Sequence, residues 1–152
     1  LAKNSLNQTL VSKIFTAKDI RNGTDSSEAA QVEYLELFST ATKKHFGSFS
    51  MNIYEMFEIF TQKGDGASLT AYVSAIKPHI ADLLIITVPP QWQTFHLQLL
   101  NLWEKKFSAY SVILNGDDDP LRSFMAYNVI ADIGKGNDDL QSTLNDLIQQ
   151  LQ

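Results

Sequence analysis

Hydrophobic residues recur along this chain at spacings of three and four, which places them on one face of an α-helix. The first run contains Leu6, Leu10, Val11, Ile14, Phe15 and Ile20. It predicts a first helix that ends near Asn22-Gly23. N-cap candidates at residues 24–27 start a second predicted helix, which ends at Gly47. Its buried side is expected to carry Tyr34, Leu35, Leu37, Phe38 and Ala41.

Two further helices are predicted in the middle of the chain, with Ser50 and Ser68 as their N-caps. The first has its apolar face at Ile53, Tyr54, Met56, Phe57 and Phe60. The second covers residues 69–86, with a kink or break at Lys77-Pro78 because proline has no N–H to donate. Residues 85–88 also allow a short extended segment, but the pattern shows no second strand to pair with it.

A double proline precedes the longest predicted helix. Pro89 disfavours helical geometry at Val88, and Pro90 suits a first helical turn. The helix then runs to Asn115-Gly116, with its apolar stripe at Trp92, Phe95, His96, Leu99, Leu100, Trp103, Phe107 and Tyr110.

The next predicted helix begins at Asp119 and Pro120, its N-cap and first helical residue. Gly134 and Gly136 are expected to break this helix before a final one that carries Leu140, Leu144, Leu147 and Leu151. These elements together predict an all-α fold. We expect one domain over residues 1–152, a bundle of about six helices joined by short loops.

Composition narrows the possible partners. The chain of 152 residues has a net charge of −5, and its close basic pairs, Lys43-Lys44 and Lys105-Lys106, are isolated. Binding to nucleic acid requires a basic surface, so that partner is not predicted. The absence of cysteine excludes disulfides and thiol chemistry. The longest purely apolar stretch, residues 83–86, is too short to span a bilayer.

The sequence contains no motif that is specific for catalysis, neither a nucleophile elbow, a phosphate-binding glycine loop nor a zinc-protease helix. We therefore predict no enzymatic activity and no cofactor. His96 is the first residue to consider, because it shares a helical face with Trp92 and Leu99. One interpretation is a proton carrier or ligand in an aromatic pocket. The favoured interpretation is a packed histidine that donates to a loop carbonyl, since no carboxylate lies within a turn to orient the ring.

No metal site is predicted. His45 and His79 are interpreted as surface or capping residues near helix ends. Zinc held by His79, His96 and a carboxylate is the alternative, without the usual local ligand spacing. Asp117-Asp118-Asp119 lacks the alternating ligands and distal glutamate of a calcium loop. Helix capping by Asp119 is the preferred interpretation.

Trp92 and Trp103 are eleven residues apart and lie on nearly the same side of one predicted helix. Aromatic residues at helical spacing usually pack inward, so both are expected in the core. An exposed tryptophan would instead be a good anchor for a partner.

Several short motifs occur in an order that resembles a family of uncharacterised helical proteins from small-genome candidate-phylum bacteria. The matching positions are Val88-Pro89, His96-Leu97, Leu99-Leu100-Asn101 and Asp119-Pro120. The resemblance covers residues 34–127 and leaves out the first predicted helix. It implies an extracytoplasmic helical domain with an N-terminal membrane anchor, which is consistent with a chain that begins at Leu1. It implies no reaction.

The leading hypothesis is thus a non-enzymatic bundle that acts through protein–protein contacts at the cell envelope. A second hypothesis is a small-molecule or metal-binding module with a pocket near Trp92, His96 and Trp103. A third is an acidic inhibitor or immunity protein. It predicts one exposed patch built from Asp117, Asp118, Asp138 and Asp139.

Overall fold

The computed structural model describes Leu10, residues 13–116 and residues 119–151. The described residues form five helices: α1 (Glu28–Phe46), α2 (Ile53–Lys63), α3 (Ala67–Leu84), α4 (Gln93–Leu114) and α5 (Pro120–Gln150). They also form two short strands and a single 3-10 turn: β1 (Arg21–Asn22), β2 (Thr87–Val88) and η1 (Pro90–Trp92). The predicted all-α class is confirmed, with five helices in place of about six.

Helix α4 lies at the centre of the bundle. It packs along α5 on one side and along α3 on the other, while α1 and α2 both pack on α3. Leu100, Ala109 and Tyr110 of α4 are fully buried. Most of the hydrophobic stabilisation is therefore expected along α4, since that free energy scales with the apolar area removed from water.

The predicted first helix is wrong for residues 13–20, which form irregular chain and a turn. The Asn101 side chain accepts from the Phe15 backbone N–H at 2.7 Å and donates to the Phe15 carbonyl at 3.1 Å. Asp19 accepts from the Thr16 N–H at 2.8 Å. These bonds use backbone groups that a helix would need, so tertiary contacts replace the helix that the apolar spacing favours. Leu6 and Val11 lie outside the described residues.

Asn22-Gly23, the predicted end of that helix, belongs instead to a short parallel pair of strands. Arg21 pairs with Thr87, and Asn22 pairs with Val88. The Gly23 N–H extends the pair by donating to the Val88 carbonyl at 2.8 Å. The extended segment before the double proline thus has a partner that the sequence pattern did not predict.

Pro78 lies inside α3 and does not end it. The helix buries Leu69, Val73, Ile76, Ile80 and Leu83 on both sides of the proline. We attribute its continuity to this packing, because tertiary contacts supply most of the stability of helices in proteins. The predicted N-caps of α2 and α3 are also wrong. Asn52, not Ser50, caps α2, and Gly66, not Ser68, precedes α3.

Gly134 and Gly136 lie within α5 and do not break it. Both have negative φ, and a Cβ on Gly136 would lie 3.0 Å from the Leu102 side chain of α4. The glycine thus lets α5 approach α4 closely at this point. The last two predicted helices are consequently one helix of 31 residues.

None of the helices in the described part of the chain combines the length and the apolar character needed to cross a membrane.

Candidate functional site

His96 is fully buried and both of its ring nitrogens have partners. Nε2 lies 3.1 Å from the Leu83 carbonyl, and Nδ1 lies 2.9 Å from the Tyr34 hydroxyl. A carbonyl only accepts, so Nε2 carries the proton and Nδ1 accepts from the tyrosine O–H. Burial lowers the pKa of His96 to about 4, which keeps the ring neutral at pH 7. The histidine therefore links α4 to α1 and to the end of α3.

Trp92 belongs to the same contact between helices. Its Nε1 donates to the Gln31 side-chain oxygen at 3.0 Å, and its ring lies 5.3 Å from that of Tyr34. Trp92 is fully buried. Neither it nor His96 lines either of the two clefts described below. The proposed pocket near Trp92, His96 and Trp103 is thus not one cavity; only Trp103 reaches an open cleft.

Pro90, Asp119 and Pro120 lie at helix starts, as the sequence predicts, and Pro89 immediately precedes one. Pro89 precedes η1, and its carbonyl accepts from the Trp92 N–H at 2.9 Å. Pro90 is the first residue of η1. Asp119 accepts from the Leu121 N–H at 3.0 Å as the N-cap of α5, and Pro120 is the first residue of that helix. Asp117 and Asp118 lie outside the described residues, and so does the calcium alternative that depends on them.

His79 is also fully buried, which corrects its interpretation as a surface or capping residue. It lies in the interior of α3 with its ring against Phe46 and Trp103, at centroid distances of 5.1 and 4.9 Å. Neither ring nitrogen makes a hydrogen bond. Burial, together with the charge of His45, lowers the pKa of His79 to about 4; a weak interaction with the Ala41 carbonyl, which lacks the geometry of a hydrogen bond, opposes the shift. The imidazole of His79 is thus a neutral ring that packs against aromatic side chains.

His45, the third histidine, takes part in an ion cluster at the edge of the bundle. Its Nε2 lies 2.7 Å from Asp82 Oδ2, and Lys44 Nζ lies 2.8 Å from the same oxygen. Hydrogen bonds from Lys44 and His45 hold the pKa of Asp82 below its usual value. Among the described residues, no three histidine or carboxylate side chains are grouped so that they could hold a metal ion.

Asp82 also lines a cleft of about 830 Å³, which lies between α1 and the segment from the end of α3 to β2. Leu37 and Ile85, both exposed, contribute apolar surface there, while Glu33 and Asp25 contribute carboxylates. The cleft is open, and its polar groups do not converge on one point in a way that defines a reaction.

A second, smaller cleft of about 150 Å³ lies where α1, α4 and α5 meet. Trp103 forms part of its wall, and Lys106 Nζ lies 4.3 Å from the centre of the Trp103 ring. Lys106 is 7% exposed, and burial lowers its pKa to about 8. In the sequence, Lys106 stands out only as half of a basic pair. Its position, three residues after Trp103 and four before Tyr110, was the signal that it faces the core.

The first half of α5 exposes an apolar stripe, which we call the α5 stripe, formed by Leu121, Phe124 and Tyr127. Their exposed fractions are 52%, 64% and 47%. Spacings of three residues make consecutive members neighbours on the helix surface. Tyr127 contacts Phe57 of α2 edge-on at 5.9 Å, and the exposed Tyr54 lies one turn before Phe57.

Of the four acidic residues named for an inhibitor, Asp117 and Asp118 lie outside the described residues, so the single acidic patch stays a prediction. Asp119 caps the start of α5, whereas the exposed Asp138 and Asp139 lie 19 and 20 residues further along the same helix. A rise of 1.5 Å per residue separates these positions by about 28 Å.

No protein-family model, curated protein or solved structure matches this chain. The family resemblance noted above therefore stays a prediction.

Proposed function

We propose that this chain is a non-enzymatic binding domain that acts through protein–protein contacts, with the α5 stripe as its contact surface. The observation that carries the proposal is the exposure of Phe124, a large apolar side chain with 64% of its surface in water. A single exposed apolar residue is ordinary, but neighbouring ones on a rigid element are typical of interaction sites.

The composition of the surface supports a protein partner. Tyrosine and phenylalanine are enriched in the centres of protein interfaces, where they bury a large area with few rotatable bonds. Tyr127 adds a hydroxyl group to the stripe itself, and the exposed Tyr54 of α2 adds a second one. The absence of catalytic motifs in the sequence is consistent with a binding role.

The proposed location is the cell envelope, with the domain outside the cytoplasmic membrane and tethered by an N-terminal segment. The resemblance supports this location. Fractionation of cells that express the full gene product tests it: the proposal expects the protein in the membrane fraction, with its domain accessible to protease from the outside.

Site-specific photo-crosslinking in the native organism tests the contact surface. We expect a photoreactive phenylalanine analogue at Phe124 to give one discrete adduct, which excess unmodified protein suppresses and a Phe124→Ser protein does not. The same analogue at Glu28, an exposed residue of α1, is the control. Equal adducts from both positions, or none from Phe124, would count against the α5 stripe as the contact surface.

A further inference from the structure

Lys106 has an unusual environment for a lysine. Its side chain is buried, and no carboxylate or other hydrogen-bond partner contacts Nζ among the described residues; the Trp103 ring lies 4.3 Å from Nζ. Lysine is almost never fully buried unless it is paired. An ammonium group in this position keeps a desolvation cost that a carboxylate ligand would offset.

Among the residues that the structure describes, neighbouring charges do not supply that carboxylate. Glu104 lies two residues earlier on α4, where the helix points it elsewhere, and it binds Lys77 of α3. His79 is the titratable group that Lys106 influences from α3, and it is a neutral ring. The first twelve residues of the chain contain no acidic side chain.

The cleft next to Lys106 is mostly apolar. Its walls come from Phe38 of α1, from Phe95 and Leu99 of α4, and from Leu140 and Leu144 of α5. Such walls suit an apolar ligand body, while a single buried charge fixes its orientation.

Asn137 and Gln141 also line the cleft, and each side chain carries an amide that can donate hydrogen bonds. The volume of about 150 Å³ limits the body of the ligand. An engineered protein cavity of about this volume accommodates benzene.

From this arrangement we infer that the cleft is a binding site for a small monocarboxylate, with the carboxylate on Lys106 Nζ and a body of about six carbons against the leucines and phenylalanines. The lowered pKa of Lys106 agrees with this, because a bound anion would stabilise the charged amine. The inference goes beyond the proposed protein contact and does not depend on the α5 stripe.

Titration of the full chain with benzoate, followed by NMR or calorimetry, tests the site. Benzamide is the matched probe, because it has the same shape without the charge. We expect benzoate to bind with a Kd of about 0.1–1 mM and at least about tenfold more tightly than benzamide. Equal affinities, or no response at about 10 mM benzoate, would overturn the inference.

Three variants locate the binding site. Lys106→Met keeps the length of the side chain and removes the charge, so benzoate affinity should fall at least about tenfold while benzamide affinity is unchanged. Lys105→Met removes the neighbouring exposed lysine and should leave both affinities as they are. Leu144→Phe narrows the cleft from a half-buried wall and should weaken both probes, provided that thermal unfolding stays cooperative. Retention of benzoate binding in a folded Lys106→Met protein would refute the site.

Discussion

His96 and His79 occupy comparable positions and differ in one respect. Both lie in the interior of the bundle on adjacent helices, both are fully buried, and burial lowers both pKa values to about 4. His96 makes two hydrogen bonds that join three helices, whereas His79 makes none and contacts aromatic rings. Burial and pKa therefore do not reveal what a histidine contributes; the partners of its nitrogens do.

The largest expected effect is a loss of folding stability at acidic pH, to which both histidines contribute. In the unfolded chain each histidine titrates near 6.5, and in the folded protein near 4. Between these values the unfolded state binds more protons, so the free energy of unfolding falls as pH decreases from about 6.5 to 4. Each histidine contributes up to about 3 kcal/mol to this fall. Urea denaturation at several pH values in this window measures it.

His45→Gln is the control for the acid experiment, because His45 is the third histidine of the chain and its Nε2 lies 2.7 Å from Asp82 Oδ2. The lowered pKa of Asp82 acts below pH 4, outside the window. A wild-type stability that is flat between pH 7.5 and 4.5 would contradict the neutral state of both buried rings.

The next largest effect is the loss of stability on substitution, which should differ between the two histidines. We expect His96→Leu to lower the free energy of unfolding by about 2–4 kcal/mol at pH 8, because the Tyr34 hydroxyl and the Leu83 carbonyl lose their buried partner. Chemical denaturation measures this loss. Tyr34→Phe removes one bond only and should give an intermediate loss of about 1–2 kcal/mol. If His96→Leu were as stable as wild type, the hydrogen bonds would not hold the helices together.

The smallest effect is expected for His79→Leu. The variant removes two buried nitrogens without partners but also loses the ring contacts with Phe46 and Trp103. We expect these terms to offset each other within about 1 kcal/mol at pH 8. The same variant should reduce the acid sensitivity as much as His96→Leu does. A loss at pH 8 equal to that of His96→Leu would remove the distinction between the two residues.

The fold class and most helices follow from apolar spacing, because a bundle needs each helix to bury one stripe. The errors occur where a distant contact overrides a local signal. Asn101 holds Phe15 in irregular chain, and the close approach to Leu102 gives Gly136 a packing role inside α5. A single sequence contains no information on which distant residue will meet a given glycine or amide.

The candidate sites were less predictable than the fold. The position of His96 in the apolar stripe indicated burial, but Tyr34 as its partner comes from a residue 62 positions away. The buried environment of Lys106 also depends on α5, whose Leu140 and Leu144 close the cleft. Spacing within one helix shows which way a side chain faces, but the groups that meet it come from other helices.

The two hydrogen bonds between the Asn101 side chain and the Phe15 backbone also have a consequence for the order of folding. These residues are 86 positions apart, and the β1–β2 pair joins residues that are 66 positions apart. Closing a long loop costs chain entropy that local helix contacts do not. Residues 13–23 can dock only after α4 and the segment before it are in place, because their partners lie there. We therefore expect the amide of Phe15 to become protected from hydrogen exchange only after α4 has folded.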